Sequence, residues 1–540
     1  MLSDRLATSG PILYGGALIG ALLIVRQILS SQRKGSKLPL PPGPKPLPIV
    51  GNLSDLPPPG PPEWEHWIKH KDLYGPISSI TVLGQTIILI HDLEIAEDLL
   101  VKRAQNYSSR PHMFFAAEMC GFGHILTFQD YNDNLKQQRR LAAWQIGSNV
   151  SVKKLHPLID IHSRRFLWRT LSNPDKYTKN LHITSSSIVL DTLYGYIPNT
   201  NGIDPLVDLV DKMMAAFSEI TAGGVWLVDK IPWLRYFPEW LPGMKFKSLA
   251  RDYYKQVMDV TNLPYDFAAL QRSRNVNRPS FVSGLLDRAD KKALNKQELQ
   301  DEKDLIRSSA ISMYGGGSDT SVSLLAFFFR TMMLHPEVQE RAQEEIDRVI
   351  GNERLPELQD RATLPYIEAL FKETLRYNPI VPSGFPHTAD ADDEYRGYRI
   401  PKGAIIVPSI QWISRDPNNY EDPDVFKPER FLKPALNIKR WVFGFGRRIC
   451  PGKELADASV WLIIAQTMAV YNIQKPIDPE TGLEIEPEMG STSGTVSHPR
   501  PFKCSFVPRN EKAKDLILNV ERDHPWDPEG DSKVIDELID

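Results

Sequence analysis

The chain has 540 residues with 64 basic and 67 acidic side chains, and its net charge of −3 comes without a basic tract interleaved with aromatic residues. This balance argues against a nucleic-acid partner, because phosphate recognition needs clustered positive charge. Cysteine occurs three times, as Cys120, Cys450 and Cys504, which excludes a disulfide framework and indicates a reducing compartment. The length favours several domains, but no repeat and no long Ser/Gly linker divides the chain, so we predict one core.

Residues 1–37 predict a membrane anchor. Pro11 to Val25 is an uninterrupted apolar run, extended by Ile28 and Leu29 to the lower end of membrane-spanning length. The basic residues that follow the run place the rest of the chain in the cytosol under the positive-inside rule: Arg26, Arg33, Lys34 and Lys37. A cleaved secretory peptide is the alternative, but its positive charge belongs on the other flank. Residues 38–52 are rich in proline and predict a stiff hinge.

The remaining elements predict a mainly α (α+β) fold for a catalytic domain at residues 53–508. Ile77 to Val82 and Thr86 to Ile90 read as a hairpin of a small β-sheet domain. Helical periods dominate from Leu93 to Tyr377, and short strands return at Tyr398 to Ile400 and Ala404 to Val407.

Two segments lie outside this pattern. Residues 223–242 carry three tryptophans and are too apolar for an ordinary loop, so they suit a lipid interface or a channel mouth, or else they cover the core. Residues 509–540 contain ten acids and five bases, with no periodic apolar face beyond Leu516 to Leu518. We predict that this acidic tail is poorly ordered or docked on the surface.

Residues 443–452 read Phe-Gly-Phe-Gly-Arg-Arg-Ile-Cys-Pro-Gly and single out Cys450. Gly444 and Gly446 allow a tight turn, and Pro451 precedes a predicted helix from Glu454 to Val470. Cys450 therefore lies at the positive end of a helix, where a thiolate is favoured. The spacing of the glycines fits neither a dinucleotide fingerprint nor a phosphate loop, and a buried structural cysteine is the remaining alternative.

With Phe443, Gly446, Arg448, Cys450 and Gly452 in this order, the segment resembles the cysteine loop of the cytochrome P450 family. The resemblance extends over nearly all of the chain from Pro41 onward. It implies the family fold, haem b as cofactor, Cys450 as the axial ligand of the iron, and dioxygen as a substrate.

A second motif lies in a predicted helix from Leu305 to Leu334. Gly315 to Gly317 each cost about 1 kcal/mol in a helix interior, which indicates a close approach to the backbone. Asp319 and Thr320 follow and could hold a water and pass protons. The resemblance implies that this acid–threonine pair activates oxygen; a kinked helix with a Ser/Thr bond to its own backbone is the alternative.

A third motif joins Glu373 and Arg376, three residues apart on a helix that begins near Leu364. Such a pair is usually a weak surface ion pair. The segment from Phe426 to Phe431 resembles the family segment whose arginine joins this pair. The resemblance thus implies a buried, structural network of Glu373, Arg376 and Arg430 that fixes the cysteine loop.

The two propionates of a haem need cationic or hydrogen-bonding partners inside the protein. Arg448 and His387 are candidates from segments that resemble those at the haem edge. On a predicted helix from Tyr131 to Ala143, Arg139 matches a family arginine, whereas Leu135 stands where the family often has tryptophan. We expect Lys136 to supply the missing contact, with a solvated helix face as the alternative.

The resemblance also predicts the substrate pocket, and the proposed lining residues are Phe114, Phe115, Phe122, Met313, Tyr314, Val381, Ser383 and Thr492. They predict a bulky apolar or aromatic ligand. The sequence contains no flavin or nicotinamide motif, so NADPH-cytochrome P450 reductase is the expected electron donor, at the endoplasmic reticulum membrane. The overall sequence resembles fungal microsomal members of secondary metabolism, such as O-methylsterigmatocystin oxidoreductase and enzymes that tailor prenylated indole alkaloids.

The predicted reaction is hydroxylation, ring oxidation or oxidative coupling of a small molecule. Two other classes stay open on the sequence. A haem-thiolate isomerase or dehydratase works without a reductase and needs no acid–threonine pair, so Asp319 and Thr320 count against it. A non-catalytic haem-binding membrane protein needs neither that pair nor the hinge.

Overall fold

The computed structural model of the chain describes residues 38–58, 60–200, 202–221, 226–433 and 437–539. The predicted anchor at residues 1–37 lies outside these ranges. Within them, no helix combines the length and apolar content needed to cross a membrane.

The described residues are mostly helical, which agrees with the predicted fold class. The α-helices, in chain order, are α1 (Glu63–Trp67), α2 (Lys69–Tyr74), α3 (Leu93–Glu97), α4 (Asp133–Ile146), α5 (Asn149–Lys153), α6 (His156–Ser172), α7 (Tyr177–Tyr194), α8 (Pro205–Ile220), α9 (Phe246–Ser273), α10 (Phe281–Asp290), α11 (Lys296–Leu334), α12 (Pro336–Val349), α13 (Pro365–Tyr377), α14 (Ile410–Ile413), α15 (Lys453–Val470), α16 (Glu511–Asp523) and α17 (Ser532–Ile539).

Small sheets lie beside the helices. Their strands are β1 (Ile77–Val82), β2 (Gln85–Ile90), β3 (His387–Thr388), β4 (Asp393–Tyr395), β5 (Tyr398–Ile400), β6 (Ile405–Pro408), β7 (Tyr471–Gln474) and β8 (Ser505–Pro508). The largest sheet has the order β1-β2-β6-β3, while β4 pairs with β5 and β7 with β8. The predicted hairpin is present: Leu83 and Gly84 form its turn with φ of 48° and 82°, as a tight two-residue turn requires.

Helix α11 is the centre of the fold and packs against α4, α7, α8, α9 and α10. It begins earlier than predicted, where Asn295 and Glu298 form a reciprocal capping box. Two of its glycines are explained by helix packing. A Cβ at Gly317 would lie 2.7 Å from Val189 of α7, and one at Gly315 would lie 3.0 Å from Met213 of α8. A Cβ at Gly316 would meet nothing within 4 Å, so this glycine alone leaves open space.

Glu373, Arg376 and Arg430 form a network that is buried between α13 and residues 414–430. Arg376 donates to both carboxylate oxygens of Glu373 at 2.7 Å, and Arg430 Nε donates to the same carboxylate at 3.1 Å. The side chains of Glu373 and Arg376 are both fully buried. Arg376 also donates to the carbonyl oxygens of Ser414 and Pro423, so one side chain joins α13 to the loops that lead to the cysteine loop.

The proline-rich segment packs on the first sheet and is not a free spacer. Ser79 Oγ donates to the Pro41 carbonyl at 2.6 Å, and Ser79 N donates to that of Pro42 at 2.8 Å. Gly43 is needed at this contact, because a Cβ there would lie 1.8 Å from the Ser79 carbonyl oxygen. The division of the chain at residues 37/38 and 52/53 stays a prediction.

The acidic tail is docked, and the alternative of a poorly ordered tail was wrong. Helix α16 buries Ala513, Ile517 and Val520, a helical face that the sequence analysis overlooked because acids and bases surround it. Asp531 then accepts from Arg278 at 2.6 Å, and Trp526 packs edge-on against Trp168 with ring centroids 5.0 Å apart.

In residues 226–242, Trp226 fits the interpretation that the segment covers the core, and the lipid-interface or channel-mouth interpretation stays a prediction. Trp226 stacks on Phe115 with ring centroids 3.9 Å apart, so it covers the core. Trp233, Tyr236 and Trp240 are 58%, 74% and 80% exposed, which leaves an aromatic surface in water.

Candidate active site

The cysteine loop has the tight turn that its glycines predicted. Gly444 and Gly446 have φ of 82° and 52°, and a Cβ at Gly446 would lie 2.1 Å from the Leu100 carbonyl oxygen. Only glycine fits such a contact with a left-handed backbone. The turn closes when Cys450 N donates to the Phe443 carbonyl at 2.8 Å.

The Cys450 thiol lies three residues before α15, which begins at Lys453. Burial raises the pKa of this thiol, and the Gly452 N–H, Arg139 and Lys453 oppose that effect. Burial therefore opposes the thiolate, an effect that the position of Cys450 before the helix did not predict. A metal cation bonded to the sulfur supplies the charge that keeps such a thiol deprotonated.

A cavity of about 300 Å³ separates Cys450 from α11. Phe443, Cys450 and Gly452 line one side, and Gly315 to Gly317 with Thr320 line the other. The thiol thus faces a helix that carries a hydroxyl group across an enclosed space. This arrangement suits a flat ligand bound between the two.

Asp319 and Thr320 do not point the same way. Thr320 lines the cavity, and its Oγ1 donates to the Gly316 carbonyl at 2.8 Å. Asp319 is absent from the lining; its carboxylate is nearly buried and lies 3.1 Å from His498 Nε2. Neighbouring positions on a helix face different directions, so the acid stands behind the hydroxyl.

Arg110 and Arg448 line the cavity, and Arg139 lies close enough to both for its charge to add to burial in lowering their pKa values. None of the three forms an ion pair with any residue that the structure describes. Arg110 donates to the carbonyls of Phe385 and Pro386, Arg139 to that of Ile449, and Arg448 to those of Ser108 and Gln129. These acceptors are neutral, so the positive charges lack a paired anion.

Two observations indicate that these three arginines form a binding site for an anion. Arg110 Nε and Arg139 Nη1 are buried without a hydrogen-bond partner. Burial, together with the neighbouring guanidinium groups, lowers the pKa of Arg110 far below its usual range and that of Arg448 to about 10. Burying unpaired charge is costly, and the two propionates of a haem fit the cluster in charge and hydrogen-bonding capacity.

The remaining predicted propionate partners differ in their placement. His387 is buried and lines the cavity, with Nδ1 donating to the Tyr107 carbonyl at 2.7 Å. Burial, followed by the charge of Arg110, lowers the pKa of His387 well below its usual value. The prediction for Lys136 was wrong: it is half-exposed and pairs with Asp133 at 2.9 Å, one helical turn away. Arg110, and not Lys136, is the further cation at the cavity edge.

The fold and this site define a haem-thiolate protein, and comparison with known proteins leads to the same class. A family model described as "Cytochrome P450" matches residues 41–506. The chain therefore belongs to the cytochrome P450 family. Members of the family bind haem with a cysteine thiolate as axial ligand, and Cys450 is the cysteine that lines the cavity.

Named relatives come from fungi. Cytochrome P450 monooxygenase claR of Ampulloclitocybe clavipes is 46% identical over 492 residues, covering 90% of this chain and 89% of that protein. Cytochrome P450 monooxygenase CLM2 of Gibberella zeae is 41% identical, covering 96% and 97%. O-methylsterigmatocystin oxidoreductase of Aspergillus flavus is 39% identical, covering 95% and 96%. The chain is a cytochrome P450 monooxygenase that resembles these fungal enzymes.

Of the eight residues predicted for the substrate pocket, three line the cavity and five do not. Phe122, Met313 and Val381 line the cavity. Phe115 instead stacks on Trp226, Arg235 lies over the Phe114 ring, and Tyr314 is fully buried and donates to the Leu206 carbonyl at 2.8 Å. Ser383 is outside the lining, where Gly384 takes its place, and Thr492 is exposed. These residues were chosen because they lie near the motifs in the sequence. That closeness does not show whether a side chain points into the cavity or away from it.

Sequence reasoning missed Arg110 and His498. Arg110 lies in a loop without periodicity, and its proximity to Arg448 exists only in the folded chain. His498 follows a turn near the carboxyl end, 179 positions from its partner Asp319. No local signal distinguishes either residue from a surface cation.

We expect Arg110→Gln to release haem at least about tenfold faster than the unchanged protein, because one charged hydrogen bond to an anion contributes about 1.5–3 kcal/mol. Transfer of haem to an excess of a haem-binding acceptor measures this rate. Lys136→Gln is the matched control and should change it by less than about twofold, since surface ion pairs contribute little. Equal rates in both variants would remove Arg110 from the propionate site.

Proposed function

We propose that this monooxygenase oxidises a bulky, neutral apolar or aromatic small molecule. Among the described residues that line the cavity, the cations are Arg110 and Arg448, and both lie with His387 at the edge assigned to the propionates. The wall around α11 is mostly apolar, with a few hydroxyl groups, and its apolar members include Phe122, Met213, Met214, Phe217, Leu324 and Val496. A charged substrate would lose its hydration there without gaining a partner.

Aromatic rings support the preference for a flat or bulky ligand. Phe217 of α8 lies 6.1 Å from Phe122 and 6.3 Å from Phe385, measured between ring centroids. The three rings come from separate elements and leave edges and faces toward the cavity, where offset contacts with another ring are favourable. Hydroxylation, ring oxidation and oxidative coupling are all compatible with such a site.

The proposed setting is fungal secondary metabolism, with electrons from NADPH through a separate reductase. The resemblance to O-methylsterigmatocystin oxidoreductase of Aspergillus flavus supports this setting. The sequence carries no flavin or nicotinamide motif that could replace a partner protein.

The proposed roles divide among four groups of residues. Cys450 is the axial ligand, and bound haem supplies the activation of dioxygen. The propionates are held by Arg110, Arg139, Arg448 and His387. Thr320 orients water and proton donors at the cavity, and Asp319 stands behind it as the acid. The cysteine loop is kept in position by Glu373, Arg376 and Arg430.

We expect Thr320→Ala to separate oxygen chemistry from haem binding. Substrate affinity and the thiolate spectrum should stay nearly unchanged, because no haem contact is lost. Product formed per NADPH should fall about tenfold or more, with hydrogen peroxide rising, because proton delivery loses an oriented hydroxyl. Asp319→Asn should uncouple similarly and also turn over more slowly, since an amide cannot relay protons.

Thr331→Ala is the matched control for that experiment. Thr331 lies on the same helix and donates to the Phe327 carbonyl at 2.8 Å, the same bond that Thr320 makes to Gly316, but it is absent from the cavity lining. Its variant should remain coupled. Unchanged coupling in both the Thr320 and Asp319 variants would remove these two residues from the proposed proton delivery. Product formation from a hydroperoxide alone, without NADPH and reductase, would instead favour the isomerase.

Attachment to the endoplasmic reticulum membrane is part of the proposal, with the catalytic domain in the cytosol. The apolar run at residues 11–25 and the exposed Trp233, Tyr236 and Trp240 support it. Tryptophan and tyrosine favour the membrane–water interface because their rings are amphipathic.

We expect a chain that begins at Leu38 to keep its haem and to float partly with phosphatidylcholine vesicles. Adding Trp233→Ser and Trp240→Ser should reduce flotation further. Trp144→Ser is the control, because Trp144 is 44% exposed but lies under the Arg288 guanidinium. Loss of haem on truncation would show that residues 1–37 belong to the catalytic fold.

A further inference from the structure

Asp319 has a partner that the family resemblance did not point to. His498 Nε2 lies 3.1 Å from Asp319 Oδ2. The Asp319 side chain is 9% exposed, whereas that of His498 is 28% exposed. The pair therefore connects a nearly buried acid, next to Thr320 in the chain, with a side chain that reaches solvent.

The backbone of His498 is held by its own loop. His498 N donates to Thr492 Oγ1 at 3.0 Å, and Thr492 N donates to the His498 carbonyl at 2.8 Å. The preceding Ser497 accepts from Ser323 Oγ of α11 and donates its N–H to the Ile380 carbonyl at 2.8 Å. The loop is thus fixed to α11 by contacts independent of the histidine, so a change at His498 need not displace it.

Among the described residues, the other charged groups near Asp319 are paired elsewhere, and His498 is its partner on the solvent side. His182 of α7 senses the charge of Asp319 but is bonded to Asp211 of α8 at 2.9 Å. Although burial disfavours its charged form, that hydrogen bond and the charges of Asp211 and Asp319 raise the pKa of His182. Arg500, two residues after His498, is paired with Glu488 at 2.6 Å.

We infer that His498 is a positioning residue that carries protons from solvent to Asp319. Histidine suits this task because it gains and loses a proton near neutral pH. The inference rests on the proposed roles of Asp319 and Thr320.

Proton placement decides the outcome of the proposed reaction. Productive turnover converts R–H, O2, two electrons and two protons into R–OH and water, whereas leakage converts O2, two electrons and two protons into hydrogen peroxide. Both consume the same electrons and protons. Water carries both protons on one oxygen atom and peroxide carries one on each, so delivery to one fixed place favours product.

His498→Gln tests the relay, because the amide can donate a hydrogen bond to Asp319 but cannot exchange a proton. We expect product per NADPH to fall about tenfold, less than the roughly 10²–10⁴-fold typical of a direct proton-transfer group, because His498 acts through Asp319. The solvent deuterium isotope effect on product formation should increase. Substrate affinity from spectral titration should change by less than about twofold. Hydrogen–deuterium exchange of residues 491–499 should be unchanged, which tests the loop without reference to activity.

His498→Arg separates proton transfer from charge pairing. Arginine keeps a positive charge beside Asp319 but stays protonated at neutral pH. It should uncouple as the glutamine variant does; restored coupling would show that the histidine serves only as a cation. His335→Gln is the matched control, since His335 is 31% exposed and also faces a carboxylate, that of Glu337 at 3.2 Å.

The double variant distinguishes the two proposals. Asp319→Asn with His498→Gln should be no less coupled than Asp319→Asn alone, because residues that act in series do not add. If Asp319→Asn uncouples while His498→Gln stays coupled, the relay is refuted and the proposed function stands. If Asp319→Asn itself stays coupled, the acid assignment fails first. If His498→Gln shows faster hydrogen–deuterium exchange and weaker substrate binding but stays coupled, the histidine only stabilises its loop and the relay is refuted.

Discussion

Cys450→Ala should abolish the absorption band that thiolate-ligated haem shows when reduced and bound to carbon monoxide, and with it all monooxygenase activity. Alanine has no atom that can bond iron, and the electron donation of the thiolate is what favours O–O cleavage. Haem itself should remain partly bound, because the arginine cluster at the cavity edge is unchanged. The reduced carbon monoxide spectrum and product formation with NADPH and reductase measure the two losses.

Cys120→Ala and Cys504→Ala are the controls for this variant. Both thiols are buried away from the cavity lining, and burial raises the pKa of Cys120 to about 12. Buried cysteines of this kind behave as small apolar side chains. Their variants should keep the band, and its survival in Cys450→Ala would overturn the assignment of the ligand.

Glu373→Gln should destabilise the fold more than the loss of any exposed carboxylate. It removes the carboxylate that faces Arg376 and Arg430, and Arg376 is fully buried. Breaking a buried pair by removing one partner costs about 3–5 kcal/mol, because the other charge is left uncompensated. The free energy of unfolding of a native protein is only about 5–15 kcal/mol. We expect a low yield of haem-bound protein and a lower midpoint for thermal loss of the haem absorption.

Glu368→Gln on the same helix provides the comparison. Glu368 pairs with Arg361 at 2.8 Å and with Lys372 at 3.2 Å, but all three side chains are 21–27% exposed. Water screens and replaces such pairs, so its removal should cost about 0–1 kcal/mol. An equal decrease in the thermal midpoint of the two variants would mean that the number of charges on α13, rather than the buried network, determines stability.

The glycines show how a correct local prediction can have a different cause. Three consecutive glycines in α11 indicated a close approach to the backbone, and the approach exists. At Gly317 and Gly315 it is made by Val189 and Met213 of neighbouring helices, and only Gly316 faces open cavity. The glycines in the sequence indicate that a Cβ would not fit at these positions. Which neighbouring group occupies the space depends on helix packing and cannot be read from the sequence.

For the acidic tail, the local composition led to a wrong prediction. Its charge suggested poor order, yet Ala513, Ile517 and Val520 form a buried face. Few apolar residues suffice when another surface is available to cover them, and that surface is not visible in the local composition.

The sequence by itself determined the cysteine loop, the hairpin, the helix that carries Asp319 and Thr320, and the acid–arginine pair of α13. Each depends on short-range constraints: positive φ at glycine, alternating or 3.6-residue periodicity, and fixed spacing on one element. The tertiary structure alone decided which cations surround the cavity edge, why Arg110 belongs there and Lys136 does not, and that His498 meets Asp319. These contacts join elements that are far apart in the chain. Each depends on the direction in which a helix face or a loop turn presents its side chain, and no local sequence pattern encodes that direction.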